Sequence, residues 1–435
     1  MKNQEKQSIR EIQLKIKKYL ELDNVSFLVG AGGSFHLGAP IIRKISGCHG
    51  LDVRAETEKY FGKGKDPSYE DLFNCLQADI FLTEQKEQKK ESSQVQRESM
   101  TKMQRWLFEN CDTEKTTIPG DYSSDEKGEK LKENRYYYHE LLIKKLLQRP
   151  GNLRRANLFT LNYDMAFDYA LDNLGVHYIN GFSGVHNRCF RPEVYDYDIF
   201  YPGQSVSGKV HRAEKVLRYY KLHGSLSWQS VEPSIKNTYG IREVQGMGRF
   251  DENHQLMVYP CVNKKTYTLD LPYSELFRQF AQAITQPQSV LVCLGYSFND
   301  EHVNDIIKQA LSIPSFTLII ANYVPPPSSS SEEKSAAPDS AKKETVNNGA
   351  SSSEEDRTTS NKRLSEIELL KMIGDKRIII LDETDLAQSS FVGFVENIMP
   401  DLYEVDEQIA LAKTLETLFS DNNPQMKSEA TNDAE

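Results

Sequence analysis

The sequence predicts a doubly wound α/β domain with a parallel sheet and a helical insertion. Three observations carry this prediction. Short apolar runs of strand length recur along the chain, helical patterns separate several of them, and one long polar stretch of helical character interrupts the series after the first strand. The segments with the pattern of buried strands are NVSFLVG (24–30), ANLFTLN (156–162), LRYYKLHG (217–224), SVLVCLGYS (289–297), FTLIIANY (316–323) and KRIIILDET (376–384).

Helical patterns lie between these strands. Apolar residues at helical spacing from Ile9 to Leu22, with lysines and glutamates between them, predict an amphipathic helix before the first strand. The pattern from Met165 to Leu174 predicts a helix with Asp164 as its N-cap and Gly175 as its stop. A further helix is expected from Asp300 to Leu311. Strands that alternate with helices in this way form doubly wound sheets.

Composition divides the chain into five parts. The segment 325–364 has almost no large apolar residue, so it cannot bury enough surface to offset its ordering entropy and is expected to be a disordered loop inside the fold. The parts predicted are an N-terminal helix (1–23), a Rossmann-like domain (24–45, 151–324 and 365–400), a helical insertion (46–150), the disordered loop (325–364), and a C-terminal helix and tail (401–435).

Charge and cysteine content limit the classes of function. The chain has 435 residues and a formal net charge of −10, so it has no general attraction to nucleic acid or anionic membranes, although HNRCFR (186–191) could form a local basic patch. The six cysteines form no CxxC pair and no zinc-type cluster with histidine, so we expect reduced thiols and no metal. The charged N-terminus and the lack of a membrane-spanning apolar run predict a soluble, cytoplasmic protein.

A glycine-rich loop follows the first predicted strand. Gly30, Ala31, Gly32, Gly33 and Ser34 give the pattern G-x-G, but Phe35 stands where the dinucleotide fingerprint has its third glycine. Small residues allow backbone N–H groups to approach a pyrophosphate at the start of a helix, where the helix dipole favours negative charge. The alternative is a tight turn between strand and helix that holds no ligand.

A second glycine-containing segment resembles a phosphate loop only in part. GQSVSGKV (203–210) ends in Val210 where an ATPase would have the Ser or Thr that coordinates magnesium. Its flanks do not form a clean buried strand and helix, so we interpret the match as chance.

Polar residues follow four of the predicted strands. Asn162 and Asp164 lie in TLNYD, and His223 lies in KLHGS. Ser297 and Asn322 follow two later strands and suit a phosphate and a ribose hydroxyl. Parallel strands bring such residues to one edge, where open α/β sheets bind ligands.

Each of these residues has a structural alternative. Asp164 is equally suited to capping a helix, loop asparagines such as Asn162 often only close turns, and Asn299 or Asp300 could simply cap the helix that follows them. His223 is the best candidate for a general base because of its place at a strand end. His186, in GFSGVHNR, is the second candidate.

Taken in order, GAGGS, TLNYD, KLHGS, LGYSFND and IIANY resemble the NAD-binding core of the sirtuins. The N-Y-D and G-Y-S-F-x-D forms are most similar to sirtuin-like domains of bacterial antiphage defence proteins. The resemblance implies a sirtuin-type Rossmann-like fold and hydrolysis of NAD to nicotinamide and ADP-ribose, which depletes the infected cell of NAD in abortive infection. It also implies a HerA-type ATPase partner, since the chain has no evident fused sensor, and a homo-oligomer.

The resemblance also implies roles for individual residues. Asn162 would orient water or ribose, His223 would act as base, and Asp164 would contact the carboxamide. The remaining residues expected to bind the dinucleotide are Gly30, Ala31, Gly32, Ser34, Gly295, Ser297 and Asn322. No metal is required.

The chain departs from the protein deacylases of this family, which carry a four-cysteine zinc module after the HG dipeptide. Only Cys261 and Cys293 are present in that part of this sequence, which weakens the case for a peptide cleft. Two alternatives remain open beside NAD hydrolysis. One is a non-catalytic subunit that binds NAD or ADP-ribose, and the other is an NAD-dependent protein deacylase.

Overall fold

The computed structural model describes residues 2–40, 48, 50–87, 90–123, 125–203, 210–251, 254–259, 271–322, 365–381 and 389–403. The predicted loop at 325–364, nearly all of the predicted C-terminal helix and tail, and most of the phosphate-loop-like segment at 203–210 lie outside these residues.

A seven-stranded parallel sheet forms the centre of the molecule, and it confirms the predicted doubly wound α/β class. Its strand order is β14-β13-β12-β1-β2-β8-β3, with β1 in the middle. The early strands lie on one side of β1 and the late strands on the other, so the strand order reverses at β1. The strands of this sheet are β1 (Asn24–Val29), β2 (Asn157–Thr160), β3 (His177–Ile179), β8 (Val216–Lys221), β12 (Ser289–Leu294), β13 (Thr317–Ala321) and β14 (Ile378–Leu381).

All six predicted strands are present in this sheet. The sequence did not predict β3, a three-residue strand at the sheet edge whose first residue, His177, is exposed. Such a short and partly exposed strand has no continuous apolar run by which it could be recognised.

Two smaller antiparallel sheets were not predicted. The larger one has the order β11-β9-β10-β5-β4, and β6 pairs with β7 in the other. Their strands are β4 (Phe182–Ser183), β5 (Arg188–Phe190), β6 (Phe200–Pro202), β7 (Val210–Arg212), β9 (Gly224–Ser230), β10 (Ile241–Glu243) and β11 (Gln255–Met257). The chain passes from β8 to β9 through Leu222 and His223, so the candidate base lies where the parallel sheet meets an antiparallel one.

Helices cover both faces of the parallel sheet and form most of the predicted insertion. Their bounds are α1 (Lys2–Leu20), α2 (Val53–Phe61), α3 (Tyr69–Glu87), α4 (Gln94–Asn110), α5 (Gly120–Ser123), α6 (Asp125–Glu133), α7 (Tyr137–Leu147), α8 (Ala166–Asn173), α9 (Tyr273–Ile284), α10 (Glu301–Leu311), α11 (Glu366–Ile373) and α12 (Phe391–Gly393). A single π-helical turn (Phe394–Ile398) continues α12.

The two faces of the sheet have separate cores. On β1, Phe27 and Val29 contact the face covered by α1, α7 and α8, whereas Leu28 contacts the face covered by α9 and α10. This alternation follows from the two-residue period of a strand. A third apolar cluster belongs largely to α3 and α4, and it also includes Tyr163 and Met165 of the loop after β2.

Two buried histidines lie in the core beside the glycine loop. The rings of His36 and His139 stack at 5.3 Å, and Phe391 stacks on His36 at 5.7 Å. Both nitrogens of each ring have no hydrogen-bond partner among the described residues. Burial, with a smaller effect of the Arg135 guanidinium, lowers the pKa of His36 to about 3, and burial lowers the pKa of His139 well below 6.5.

These histidines should make the protein sensitive to acid. In the unfolded chain each binds a proton near its usual pKa of about 6.5, whereas the folded protein binds that proton only at much lower pH. The free energy of unfolding should therefore fall as the pH drops from about 6.5 toward 3. We expect the substitution His36→Phe to reduce this fall in the free energy of unfolding. The control His186→Phe, at an exposed histidine, should leave it unchanged. Urea unfolding across that pH range measures both. An unaltered pH dependence in His36→Phe would contradict the assignment.

Candidate functional site

Six of the seven strands of the parallel sheet end at one common level, and the candidate residues other than His186 come soon after that level. Adjacent strands pair in register at their last residues, which are Leu381, Ala321, Leu294, Val29, Thr160 and Lys221 in spatial order. Gly30, Gly295 and Asn322 come one position later, and Asn162 and His223 come two positions later. The carboxyl edge of the sheet therefore carries all of the predicted junctions.

The loops after β1 and β12 contact each other through their backbones. Gly30 N–H donates to the Leu294 carbonyl at 3.0 Å, and Gly32 N–H donates to the Gly295 carbonyl at 2.9 Å. A Cβ atom on Gly30 or Gly32 would lie 2.7 Å from backbone atoms of Gly295. Small residues are required here because the two loops leave no space for a side chain.

The glycine loop does not form the expected row of N–H donors at the start of a helix. Residues 31–37 fold as two short 3₁₀ turns, so the helix-dipole argument does not apply to them. Four of the N–H groups donate within the protein, namely those of Gly30, Gly32, Gly33 and Ser34. Ala31 is exposed at the edge and Gly32 is half-buried. The loop therefore contributes to the site mainly through its tight backbone contact and the side chain of Ser34. It does not offer a row of free N–H donors.

Ser34 connects the glycine loop to the loop after β2. Asn162 Nδ2 donates to Ser34 Oγ at 3.1 Å, and the Ser34 hydroxyl lies close enough to Asp164 to lower the pKa of its carboxyl. Ser34 is thus the acceptor for Asn162 and has its hydroxyl beside the Asp164 carboxyl. All three side chains are buried. They form one polar cluster, which we call the Ser34 cluster.

Asp164 stands at the start of α8 but is not its N-cap residue. That position belongs to Met165, and Asp164 Oδ1 accepts a hydrogen bond from Ala166 N–H at 3.0 Å. Burial raises the pKa of the Asp164 carboxyl; the nearby Lys221 charge, the Ser34 hydroxyl and the hydrogen bond from Ala166 N–H act in the opposite direction. The Asp164 carboxylate thus accepts a hydrogen bond at the start of α8 and also belongs to the Ser34 cluster.

His223 follows the neighbouring strand β8, and its loop is hydrogen-bonded to the loop that carries Asn162. Leu222 N–H donates to the Thr160 carbonyl at 2.9 Å, and Leu226 N–H donates to the Tyr163 carbonyl at 3.1 Å. The backbone on both sides of His223 is therefore bonded to the chain on both sides of Asn162. The His223 imidazole is buried and lies 6.4 Å from the Tyr163 ring, centroid to centroid.

A second imidazole faces His223, and the sequence did not indicate it. His302 Nε2 lies 3.5 Å from His223 Nε2, and both rings contact Phe277. His302 belongs to the first turn of α10. In the sequence, His302 looks like an ordinary residue of the predicted helix α10. Its position just after GYSFND, at the same sheet edge, was the one signal that could have marked it as a site residue.

The remaining predicted residues occupy the β12 and β13 side of the edge. Ser297 is exposed and Asn322 is half-buried. Between Ser297 and α10, Phe298 has a φ of +57°, which is an unfavourable conformation for a bulky residue. Asp300 occupies the N-cap position of α10, but its side chain makes no capping hydrogen bond there. His186 is exposed on the segment between β4 and β5.

Neither a metal-ligand group nor a membrane-spanning helix is found among the described residues. None of their His, Cys, Asp and Glu side chains form a group of three or more that could hold a metal ion. Within the same residues, every helix is too short or too polar to cross a membrane.

Comparison with known proteins places a family likeness over part of the chain. Residues 156–347 match the family model described as SIR2-like domain. This segment contains Asn162, Asp164, His223, Gly295, Ser297 and Asn322 and begins after the glycine loop. None of the curated proteins matches the chain.

Solved structures to which the chain is similar include a Sir2 homolog bound to NAD, with 14% identity over 72% of this chain and 84% of that chain and a TM-score of 0.34. A Sir2 homologue mutant in complex with ADP-ribose has 13% identity over 72% of this chain and 86% of that chain, with a TM-score of 0.31. A further Sir2 homologue mutant, bound to 2′-O-acetyl ADP-ribose, has 15% identity, the same two coverages and a TM-score of 0.31.

The contact between the two glycine loops can be tested with a matched pair of substitutions. Gly295 has a φ of +59°, and an added Cβ would lie 2.6 Å from backbone atoms of Gly32 and Gly33. Gly374 has a φ of +64° but nothing within 4 Å of an added Cβ. We expect Gly374→Ala to cost about 1–2 kcal/mol for its conformation alone, and Gly295→Ala to lower the free energy of unfolding further. Equal losses in urea unfolding would show that the loops separate without cost.

Proposed function

We propose that the protein hydrolyses the bond between nicotinamide and ribose in NAD⁺ and releases nicotinamide and ADP-ribose. The observation that carries the proposal is that Asn162, bonded to Ser34 of the glycine loop, and a buried His223 follow the ends of two adjacent strands, whose loops are hydrogen-bonded to each other. The similarity of residues 156–347 to SIR2-like domains supports NAD as the substrate.

The chemistry assigns a separate task to each group. The C1′–N bond breaks and its electron pair leaves with neutral nicotinamide, so positive charge develops on the ribose. Water forms the new bond to C1′, and His223 accepts the proton that this water loses. Asn162 orients the water or the ribose, and Asp164 contacts the carboxamide. Because the reacting side chains are buried, bulk water is kept from them and one water can be positioned.

The dinucleotide would extend along the carboxyl edge toward β13. Gly30, Ala31, Gly32 and Gly295 would contact it through their backbones, and Ser34, Ser297 and Asn322 through their side chains. The exposure of Ala31 and Ser297 supports this assignment, because both lie open at the reversal of strand order where α/β sheets bind ligands. No step of this reaction uses a metal.

We further propose that NAD depletion is the purpose of the reaction, as antiphage defence in the cytoplasm, in a homo-oligomer that works with a HerA-type ATPase. The support is the sequence resemblance carried by the N-Y-D and G-Y-S-F-x-D motifs. Mass measurement of the purified protein, alone and co-expressed with such an ATPase, tests the assembly. A monomer that is unaffected by the ATPase would contradict it.

The hydrolase proposal makes a direct kinetic prediction. Purified protein, with the ATPase partner where required, should convert NAD⁺ to equimolar nicotinamide and ADP-ribose. A positioned base contributes about 10²- to 10⁴-fold, so His223→Ala should lower kcat by that factor, and Asn162→Ala should lower it strongly as well. His186→Ala should match the wild type, since that imidazole is exposed and lies on a different element.

Two results would overturn the proposal. Binding of NAD⁺ without release of nicotinamide would indicate a non-catalytic binding subunit. Release of nicotinamide only in the presence of an acyl-lysine peptide would indicate a deacylase.

A further inference from the structure

A buried ion pair lies beneath the loop that carries Asn162 and Asp164. Lys221 Nζ is 2.9 Å from Asp168 Oδ2, and the two side chains are only 3% and 6% exposed. Tyr219 donates its hydroxyl to the same carboxylate oxygen at 3.0 Å. Lys221 and Tyr219 belong to β8, and Asp168 belongs to the first turn of α8. The pair therefore connects the strand that leads to His223 with the helix that follows Asp164.

Lys221 makes a second, shorter contact with the loop itself. Its ammonium donates to the main-chain carbonyl of Asp164 at 2.6 Å and also contacts Met165 Sδ at 3.7 Å. Asp164 is two residues after Asn162, and Lys221 is two residues before His223. One side chain thus connects the backbone positions of the two groups that the proposed reaction uses.

Stability alone does not account for a charged pair at this position. Two ions in a protein interior lose much of their hydration, and well-packed apolar residues of similar size are often as stable or more so. Asp168 has a local reason to be acidic, because a carboxylate in the first turn of α8 interacts favourably with the helix dipole. No such local reason applies to a lysine at the end of a buried strand.

The electrostatic effect of Lys221 reaches the Ser34 cluster. Its charge opposes the rise that burial imposes on the pKa of the Asp164 carboxyl. The Ser34 hydroxyl acts on the same carboxyl in the same direction, and the Ser34 oxygen is the acceptor for Asn162. Lys221 thus acts on Asp164 in two ways, through the bond to its carbonyl and through the effect of its charge on the carboxyl.

We propose that Lys221 is a positioning residue for NAD cleavage. Its ammonium, neutralised by Asp168, holds the Asp164 carbonyl and so fixes Asn162 relative to Ser34 and His223. This inference rests on the proposed hydrolase function, because the geometry that it protects is that of the reacting groups.

The test uses a double variant that removes the pair without leaving a buried charge. Lys221→Met with Asp168→Asn keeps the approximate volume and an acceptor for the Tyr219 hydroxyl, but it loses the bond to the Asp164 carbonyl. Tyr219→Phe is the matched control, since it removes a hydrogen bond from the same network and leaves that bond in place. For each protein we would measure kcat and KM for NAD⁺, the Kd of ADP-ribose, and the urea midpoint of unfolding.

We expect the double variant to unfold near the midpoint of Tyr219→Phe and to bind ADP-ribose within about threefold of wild type. Its kcat should fall about 10²-fold, because a displacement of about 1 Å in a reacting group has an effect of that size. The kcat of Tyr219→Phe should remain near that of wild type. Equal kcat values in the double variant and the control would overturn the positioning role.

A second variant covers the case in which the double variant does not fold. Lys221→Arg keeps the positive charge beside Asp168 but moves the donor relative to the Asp164 carbonyl, so kcat should fall while the Kd of ADP-ribose holds. An unchanged kcat would overturn the inference. Wild-type protein that releases no nicotinamide in the same assay would instead refute the hydrolase function, so the two failures are distinguishable.

Discussion

The site depends on the backbone contact between the loops that follow β1 and β12. These strands are adjacent and end in register, so any side chain on the facing residues would force their loops apart. Glycine at positions 30, 32 and 295 removes that obstacle. The first loop is held against the second, and this fixes Ser34 opposite Asn162. The two loop backbones fill the point where the strand order reverses, and Ala31 and Ser297 are exposed there.

A second constraint is that the candidate groups are polar and buried together. Asn162 is hydrogen-bonded to Ser34 beside Asp164, and Lys221 with Asp168 supplies the charges beneath them. Buried hydrogen bonds of this kind favour one arrangement, since each broken bond leaves a buried polar atom without a partner. This arrangement buries the Asp164 carboxyl, and burial disfavours its ionised form. Titratable groups perturbed in this way are common in binding and catalytic sites.

Sequence patterns predicted the central sheet well and its surroundings poorly. The apolar runs that became β1, β12 and β13 are buried on both faces, and this burial is what makes a parallel strand recognisable. The antiparallel strands are mostly two or three residues long and partly exposed, so they leave no periodic signal. Strand ends correctly indicated the edge with Asn162 and His223. They could not indicate His302, whose position depends on how α10 packs across the edge.

The loop after β2 is held from two directions, and this relates the insertion to the site. Tyr163 and Met165 flank Asp164 and belong to the apolar cluster of α3 and α4. Lys221 bonds the same loop from the side of the sheet. Tyr163 also donates its hydroxyl to the Val258 carbonyl at 2.5 Å, while Val258 N–H donates to the His223 carbonyl at 2.9 Å. Tyr163 packs against the helical insertion, adjoins Asn162 in the chain and is connected through Val258 to the His223 carbonyl, so a shift of the insertion against the sheet would move Asn162 and the backbone of His223 together.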